Sequence, residues 1–221
     1  MAFLPSCGSQ PSADDRTAGL IVATRFDPNV DFGALPTFAI DPVVSTTSDA
    51  SSGGVAGAVG NAVIIDQIVA NMQARGYRQI DVASKPDLGV NATVFTRVKA
   101  GTTVSAGYWW GLPGYGGTPE FWGVPTGAYY APWTYESLAF KSTTLIIQIV
   151  DLRDAMSASV VGRTRPFDGG LLPEDGGITI ALDVAWTAIL HGYVAENGTL
   201  IPEAPGAIDQ AFVQSPYLQT R

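Results

Sequence analysis

The chain predicts an α+β fold, an antiparallel or mixed β-sheet packed by two α-helices, and three observations carry the prediction. An apolar stripe at four-residue spacing marks one long helix, β-branched runs of strand length recur on both sides of it, and a shorter apolar stripe near the end marks a second helix. The 221 residues, 46% hydrophobic and only 14% charged, suit one domain with insertions and suffice for a sizeable core. Cys7 is the only cysteine, so no internal disulfide forms and the core must stand on packing.

The elements follow in order. Gly19 to Arg25 is a short apolar strand that ends at the turn signal Asp27-Pro28-Asn29. Thr37-Phe38-Ala39-Ile40 is a second strand, closed by Asp41-Pro42, and the Ser, Thr and Gly of Val43 to Gly60 read as a loop. Ala62 to Arg75 is the clearest helix. Ile64, Ile68 and Met72 fall four apart, Ile65 and Val69 widen the stripe, and Asp66, Gln67, Asn71 and Arg75 face out. Gly76 stands where a left-handed C-terminal cap belongs.

Tyr77 to Val82 reads as a strand. Past Lys85-Pro86-Asp87, the set Leu88, Val90, Ala92 and Val94 alternates with Gly89, Asn91 and Thr93, the period of a half-buried strand. Ser142 to Leu152 is the strongest strand by β-branched content, and Val184 to Val194 resembles its antiparallel partner. Glu196-Asn197-Gly198 marks a turn, and a short helix from Ala207 to Val213 turns Ile208, Ala211 and Phe212 inward before Ser215-Pro216 stops it. Residues 19–221 thus form one domain with two insertions, a long aromatic Gly/Pro-rich loop at 107–135 and a second segment at 156–183.

Residues 1–18 read differently. Leu4-Pro5-Ser6-Cys7-Gly8 looks like the end of a bacterial lipoprotein signal, which makes Cys7 the lipid-bearing first mature residue. Only Met1 to Leu4 precede it, short of the apolar stretch a leader needs, so it reads as a lipobox remnant; the alternative is an unmodified exposed thiol. Gly8 to Thr17 is small and polar, as a flexible tether should be. Gly8 rather than an aspartate after the cysteine fits sorting to the outer membrane.

The formal net charge of −8, with twelve scattered basic residues, argues against a phosphate-backbone binder, so no nucleic-acid partner is expected. No apolar run approaches the roughly 18 residues of a spanning helix. Membrane attachment is expected through Cys7 alone.

These elements in this order resemble the bacterial lipoprotein family known as domain of unknown function 4136. The matching residues are Phe26-Asp27-Pro28-Asn29-Val30-Asp31-Phe32 with Pro36-Thr37-Phe38, the helix end Met72-Gln73-Ala74-Arg75-Gly76-Tyr77, and Lys85 to Val90. Leu145 to Asp151, Trp186, Ala207 to Phe212 and Ser215-Pro216-Tyr217 extend the match over nearly the whole domain. The resemblance implies an envelope lipoprotein with helices packed on a sheet, and it brings no catalytic residues, because the family has no assigned activity. The segment Ser157 to Asp183 departs from the family's tight hairpin. Each motif also has a structural job: Asp27 and Asp31 accept backbone donors in a turn while Phe32 plugs the core.

The aromatic loop is the most unusual segment. Residues 107–135 hold four of the five Trp and five of the eight Tyr, with seven Gly, four Pro and no Lys or Arg. Tyr108, Trp109, Trp110, Tyr115, Phe121, Trp122, Tyr129, Tyr130, Trp133 and Tyr135 are the candidate binding surface. Such rings serve four ends: a lid folded back over a sheet face, a protein contact, a lipid-headgroup seat, or a glycan platform.

A catalytic set does not assemble. His191 is the lone histidine, in an apolar strand, and with a single cysteine neither a Cys/His dyad nor a His-rich metal site forms. Twenty carboxylates show no acid/base spacing, and Asp168-Gly169-Gly170 and Glu174-Asp175-Gly176-Gly177 lack the Ca²⁺-loop pattern, reading instead as solvated turns. Gly53 to Gly60 lacks the Lys of a phosphate loop and reads as a linker, and the sequons at Asn91 and Asn197 carry little weight in a bacterial protein. The expectation is a non-enzymatic, lipid-anchored envelope protein, without cofactor or metal, that binds or assembles with another envelope component or with itself. The alternative is a carbohydrate-binding module built on the Trp/Tyr-rich loop.

Overall fold

The structure, a computed structural model, describes residues 21–48, 61–96, 103–104, 119–122, 129–132, 138–139, 144–153, 181–193 and 201–221. Cys7 and its tether, the 53–60 glycines, most of the aromatic loop, the 168–177 acidic turns and the 196–198 turn lie outside the described residues. The strands are β1 (Ile21–Phe26), β2 (Thr37–Ile40), β3 (Ser45–Ser48), β4 (Arg78–Gln79), β5 (Leu88–Thr96), β6 (Thr103–Val104), β7 (Tyr129–Pro132), β8 (Leu138–Ala139), β9 (Thr144–Asp151) and β10 (Ala181–His191). The two α-helices are α1 (Asn61–Ala74) and α2 (Ala204–Val213).

Eight strands form one mixed sheet with the order β1-β10-β9-β5-β2-β4; β3 also pairs with β5, and β7 with β10. β9 is antiparallel to both neighbours, with Leu145 opposite Leu190 on one side and Val94 on the other. β2, β3 and β7 pair in parallel, so the sheet is mixed. The small pair β6-β8 is separate.

Helix α1 forms where the stripe requires it. Ile64, Ile68 and Met72 are 2%, 0% and 0% exposed, and Gly76 closes the helix at φ +89°, a left-handed value that favours glycine. Helix α2 begins three residues before the expected Ala207, because Pro205 in its first turn presets the helical φ. Ile208, Ala211 and Phe212 are fully buried. Both helices cover one face of the sheet, against Phe38, Leu88, Val90, Leu145, Ile147, Ile149, Trp186 and Leu190. Between the helices, Asp209 accepts from Gln67 Nε2 at 2.5 Å and Asn71 Nδ2 at 2.6 Å. The Arg75 guanidinium lies 5.0 Å from the Phe212 ring centre.

Four expectations need correction. Of the α1 residues expected to face out only Asp66 is exposed; Gln67, Asn71 and Arg75 are half-buried because they engage Asp209 and Phe212 of α2. The expected loop from Val43 contains β3: Ser45 to Ser48 pair in parallel with Thr93 to Thr96, and partnership with a central strand overrides their polar composition. The expected strand from Tyr77 to Val82 shrinks to Arg78–Gln79, because Asp81 accepts from the Ala83 N–H at 2.8 Å and starts a 3-10 turn at Val82. β5 is not half-buried. Asn91 and Thr93 are each 1% exposed beside Val90 and Ala92 at 0%, since β5 lies inside the sheet with both faces covered.

The turn before β2 works as its residues require. Asp27 Oδ1 accepts from the Asn29 N–H at 2.8 Å, Asp31 Oδ1 from the Gly33 N–H at 3.2 Å, and Phe32 is buried. Thr37 and Asp87 clasp β2 to the start of β5, the Thr37 N–H donating to Asp87 Oδ2 at 3.0 Å while Thr37 Oγ1 accepts from the Asp87 N–H at 3.0 Å.

Candidate functional site

The second face of the sheet is where polar chemistry gathers. A β-bulge in β10 sets its layout: register is lost between Val184 and Trp186, so Ala185 and Trp186 both join the helix-side core, while Val184 and Thr187 stay on the second face. The indole N–H of Trp186 then donates to Ser215 Oγ at 2.9 Å.

At one end, the second face is apolar. Trp122 is 2% exposed and packs with Ala39, Val150, Leu152, Leu182 and Val184, with Phe121 edge-on to it at 4.7 Å between ring centres. Gly89 makes room for the indole. A Cβ there would lie 3.1 Å from Trp122 Cε2, 2.9 Å from Val150 Cγ2 and 3.1 Å from Leu152 Cδ1.

One step along the strands the character changes. Asn91 of β5 is the Cα partner of Gln148 of β9, Gln148 of Thr187 of β10, and Thr187 of Arg25 of β1. Partners in register share a face, so these four side chains form a polar row running across four strands. Asn91 is 1% and Gln148 3% exposed, whereas Thr187 and Arg25 are half-buried. Asn91 Nδ2, Asn91 Oδ1 and Gln148 Oε1 find no hydrogen-bond partner among the described residues. Each such orphan costs roughly 1–3 kcal/mol, a large sum beside the stability of a domain.

Beyond a row containing Thr93, Ile146 and Ile189, the lone histidine appears. His191 is half-buried, and its Nδ1 meets Thr144 Oγ1 at 2.8 Å, a strand histidine engaged by its cross-strand neighbour. Among the described residues, no group of three or more His, Cys, Asp or Glu stands together to hold a metal. No described helix is long and apolar enough to cross a membrane.

Of the aromatic candidates, Trp122 lies inside, in packing, and Phe121 is half-buried against it. Tyr129 and Tyr130 belong to β7, paired with Ala181 and Leu182. Tyr108, Trp109, Trp110, Tyr115, Trp133 and Tyr135 lie outside the described residues, as does Cys7. The sequon residue Asn91 is 1% exposed in the folded domain. The polar row is the feature that sequence reading missed. Its signal is a single amide interrupting an apolar strand, Val90-Asn91-Ala92 and Ile147-Gln148-Ile149.

Away from this face, burial holds the Tyr77 phenol above the ordinary tyrosine range, with Arg75 nearby opposing it. Desolvation likewise raises Tyr193, helped by Glu203, and lowers Arg75.

No curated protein matches this chain. The crystal structure of a DUF4136 family protein from Bacteroides thetaiotaomicron superposes with a TM-score of 0.68 at 23% identity, covering 92% of this chain and 99% of that one. The PelC dodecamer from Paraburkholderia phytofirmans aligns with a TM-score of 0.36 at 8% identity, covering 91% of this chain and 99% of that one. The family described as Domain of unknown function (DUF4136) matches residues 22–217. The chain therefore belongs to the DUF4136 family, whose fold it shares from β1 to the residues that follow α2.

Proposed function

We propose that this protein is a non-enzymatic, lipid-anchored component of the bacterial cell envelope, sorted to the outer membrane, which works by binding or assembling with another envelope component. The observation that carries the reading is Leu4-Pro5-Ser6-Cys7-Gly8 followed by a small, polar stretch ahead of β1. An acylated first residue with a short tether holds the folded body close to a membrane surface. The described residues add a sheet whose polar side chains are buried rather than converged in a charged cleft, and a histidine engaged by a threonine. Contact, with no bond made or broken, is the activity this arrangement supports best.

The test is metabolic labelling with a clickable fatty acid in a bacterial host expressing the full gene. Label on the wild type and none on Cys7→Ala is the expected pattern. An unlabelled wild type refutes the anchor, and with it the envelope assignment.

A further inference from the structure

We propose that the outer edge of β1 is where a second copy of this chain docks, the two β1 strands pairing antiparallel about a two-fold axis at Thr24 and joining two sheets into one. This names a partner for the reading of the chain as a protein that works by contact, on which it rests. It does not depend on acylation of Cys7.

β1 ends the sheet and, among the described residues, pairs with β10 alone. The register shows which of its backbone groups remain for a partner. The Asp27 N–H donates to the Ala185 carbonyl at 2.8 Å, one step past the Phe26–Trp186 pair. Hydrogen-bonded pairs alternate along an antiparallel ladder, so Ile21, Ala23 and Arg25 turn their N–H and C=O groups towards β10. Val22, Thr24 and Phe26 turn theirs outward, where they have no backbone partner among the described residues.

The two ends of the sheet are unlike. At the far end β4 is two residues long and runs into the 3-10 turn that Asp81 starts, so it offers little to extend. β1 has six residues without glycine, proline or a bulge, and of the features that blunt an edge it carries only one charge, Arg25. Ile21 at its start is 47% exposed. At its other end Phe26 stacks on Tyr217 at 3.8 Å between ring centres, and Asp27 turns the chain away by accepting from the Asn29 N–H.

An open edge accepts an extended chain, and the order of residues in this one matches itself. About an axis at Thr24, that residue faces Thr24 of the partner subunit, Val22 faces the partner's Phe26, and Phe26 faces the partner's Val22. Each pair exchanges two backbone bonds, so every outward group is met. Threonine against threonine and β-branched against aromatic are favourable cross-strand pairs. The charge avoids its own copy, because Arg25 falls opposite the partner's Ala23.

The first measurement is sedimentation equilibrium of the full, unacylated chain in reductant, where reversible association to twice the mass of the chain is expected. Thr24→Pro removes an outward N–H and leaves the β10 ladder whole, the setting in which an edge strand tolerates proline. It should keep the far-UV circular dichroism of the wild type and weaken the dimer about tenfold or more. The register is read separately in a Cys7→Ser background. Ala23→Cys and Arg25→Cys chains mixed under oxidation should link to each other, as that pair lies about 4.5 Å apart between Cα atoms. Neither should link to its own kind, because like positions are diagonal and about 7–8 Å apart.

A wild type that stays monomeric up to about 200 µM overturns the proposal and leaves the edge to a strand of another protein. So does a dimer that a folded Thr24→Pro does not weaken, or self-linking of either cysteine chain as readily as linking between the two. Should Thr24→Pro not fold, the cysteine pair still decides, and no cross-link in the mixture overturns the site. Failure here with Cys7 still labelled by fatty acid leaves the anchored-protein reading standing.

Discussion

Trp186 and Ser215 join the sheet to the chain that follows the last helix: the indole N–H donates to Ser215 Oγ at 2.9 Å, with both residues fully buried. Ser215 Oγ in turn donates to the Ala211 carbonyl at 3.0 Å and accepts from Tyr217 Oη at 3.2 Å. Ser215→Ala strands the indole N–H, and the expected loss is about 1–3 kcal/mol, a Tm lower by several degrees. Combining it with Trp186→Phe should cost less than the sum of the two single changes in urea unfolding, because one bond is removed twice. Strict additivity would show that the bond carries no energy.

Gly89 predicts a different kind of failure. Its Cβ-free backbone is what lets Trp122 lie on the second face, so Gly89→Ala drives a methyl into the indole, Val150 and Leu152. Overpacking of this kind costs about 1–3 kcal/mol. Near-UV circular dichroism should lose intensity and tryptophan emission should shift to the red, both of which would stay unchanged if Trp122 packed elsewhere.

The helix pair depends on Asp209. It accepts from both Gln67 and Asn71, and these bonds to a carboxylate are of the stronger class. Asp209→Ala is expected to lower stability by about 1–3 kcal/mol. Arg221→Ala is the contrast. Arg221 pairs with Asp31 at 3.0 Å with side chains 79% and 55% exposed, and its loss should change stability by less than about 1 kcal/mol in the same denaturant series.

Tyr77 gives the pH dependence. Its hydroxyl is buried without a hydrogen-bond partner among the described residues, and burial keeps the folded phenol protonated above the ordinary range. The unfolded phenol titrates near pH 10, so above about pH 10 the unfolded state binds fewer protons and stability falls as pH rises. Tyr77→Phe should flatten that alkaline decline. At pH 7 it should leave stability unchanged or raise it by up to about 1 kcal/mol. Urea unfolding at neutral pH and at about pH 11 reads both effects, and a marked loss at pH 7 would reveal an essential partner for the hydroxyl.

The parts of the fold legible in the sequence are those whose signal is local. Ile64, Ile68 and Met72 mark α1 by spacing alone, Gly76 marks its end, and the apolar run of β9 admits little but a central strand. The antiparallel pairing of β9 with β10 follows from two long apolar strands. What escaped depends on distant partners. Ser45 to Ser48 look like loop until Thr93 to Thr96 lie beside them, and Asn91 looks solvent-facing until strands on both sides and cover on both faces bury it. The bulge at Ala185 leaves no compositional trace, yet it decides which face receives Trp186 and where the polar row begins. A row made from one residue per strand leaves only isolated amides in apolar runs, with no motif along the chain.

The pairing of β1 with β10 has a consequence for biogenesis. All six residues of the first described strand, Ile21 to Phe26, take their partners from the last, Trp186 to His191. β1 is synthesised well before β10, so its ladder cannot form until β10 has emerged and the sheet cannot close as the chain lengthens. Closure of the sheet therefore waits on a pairing between distant parts of the chain, the kind of contact whose entropy cost slows folding.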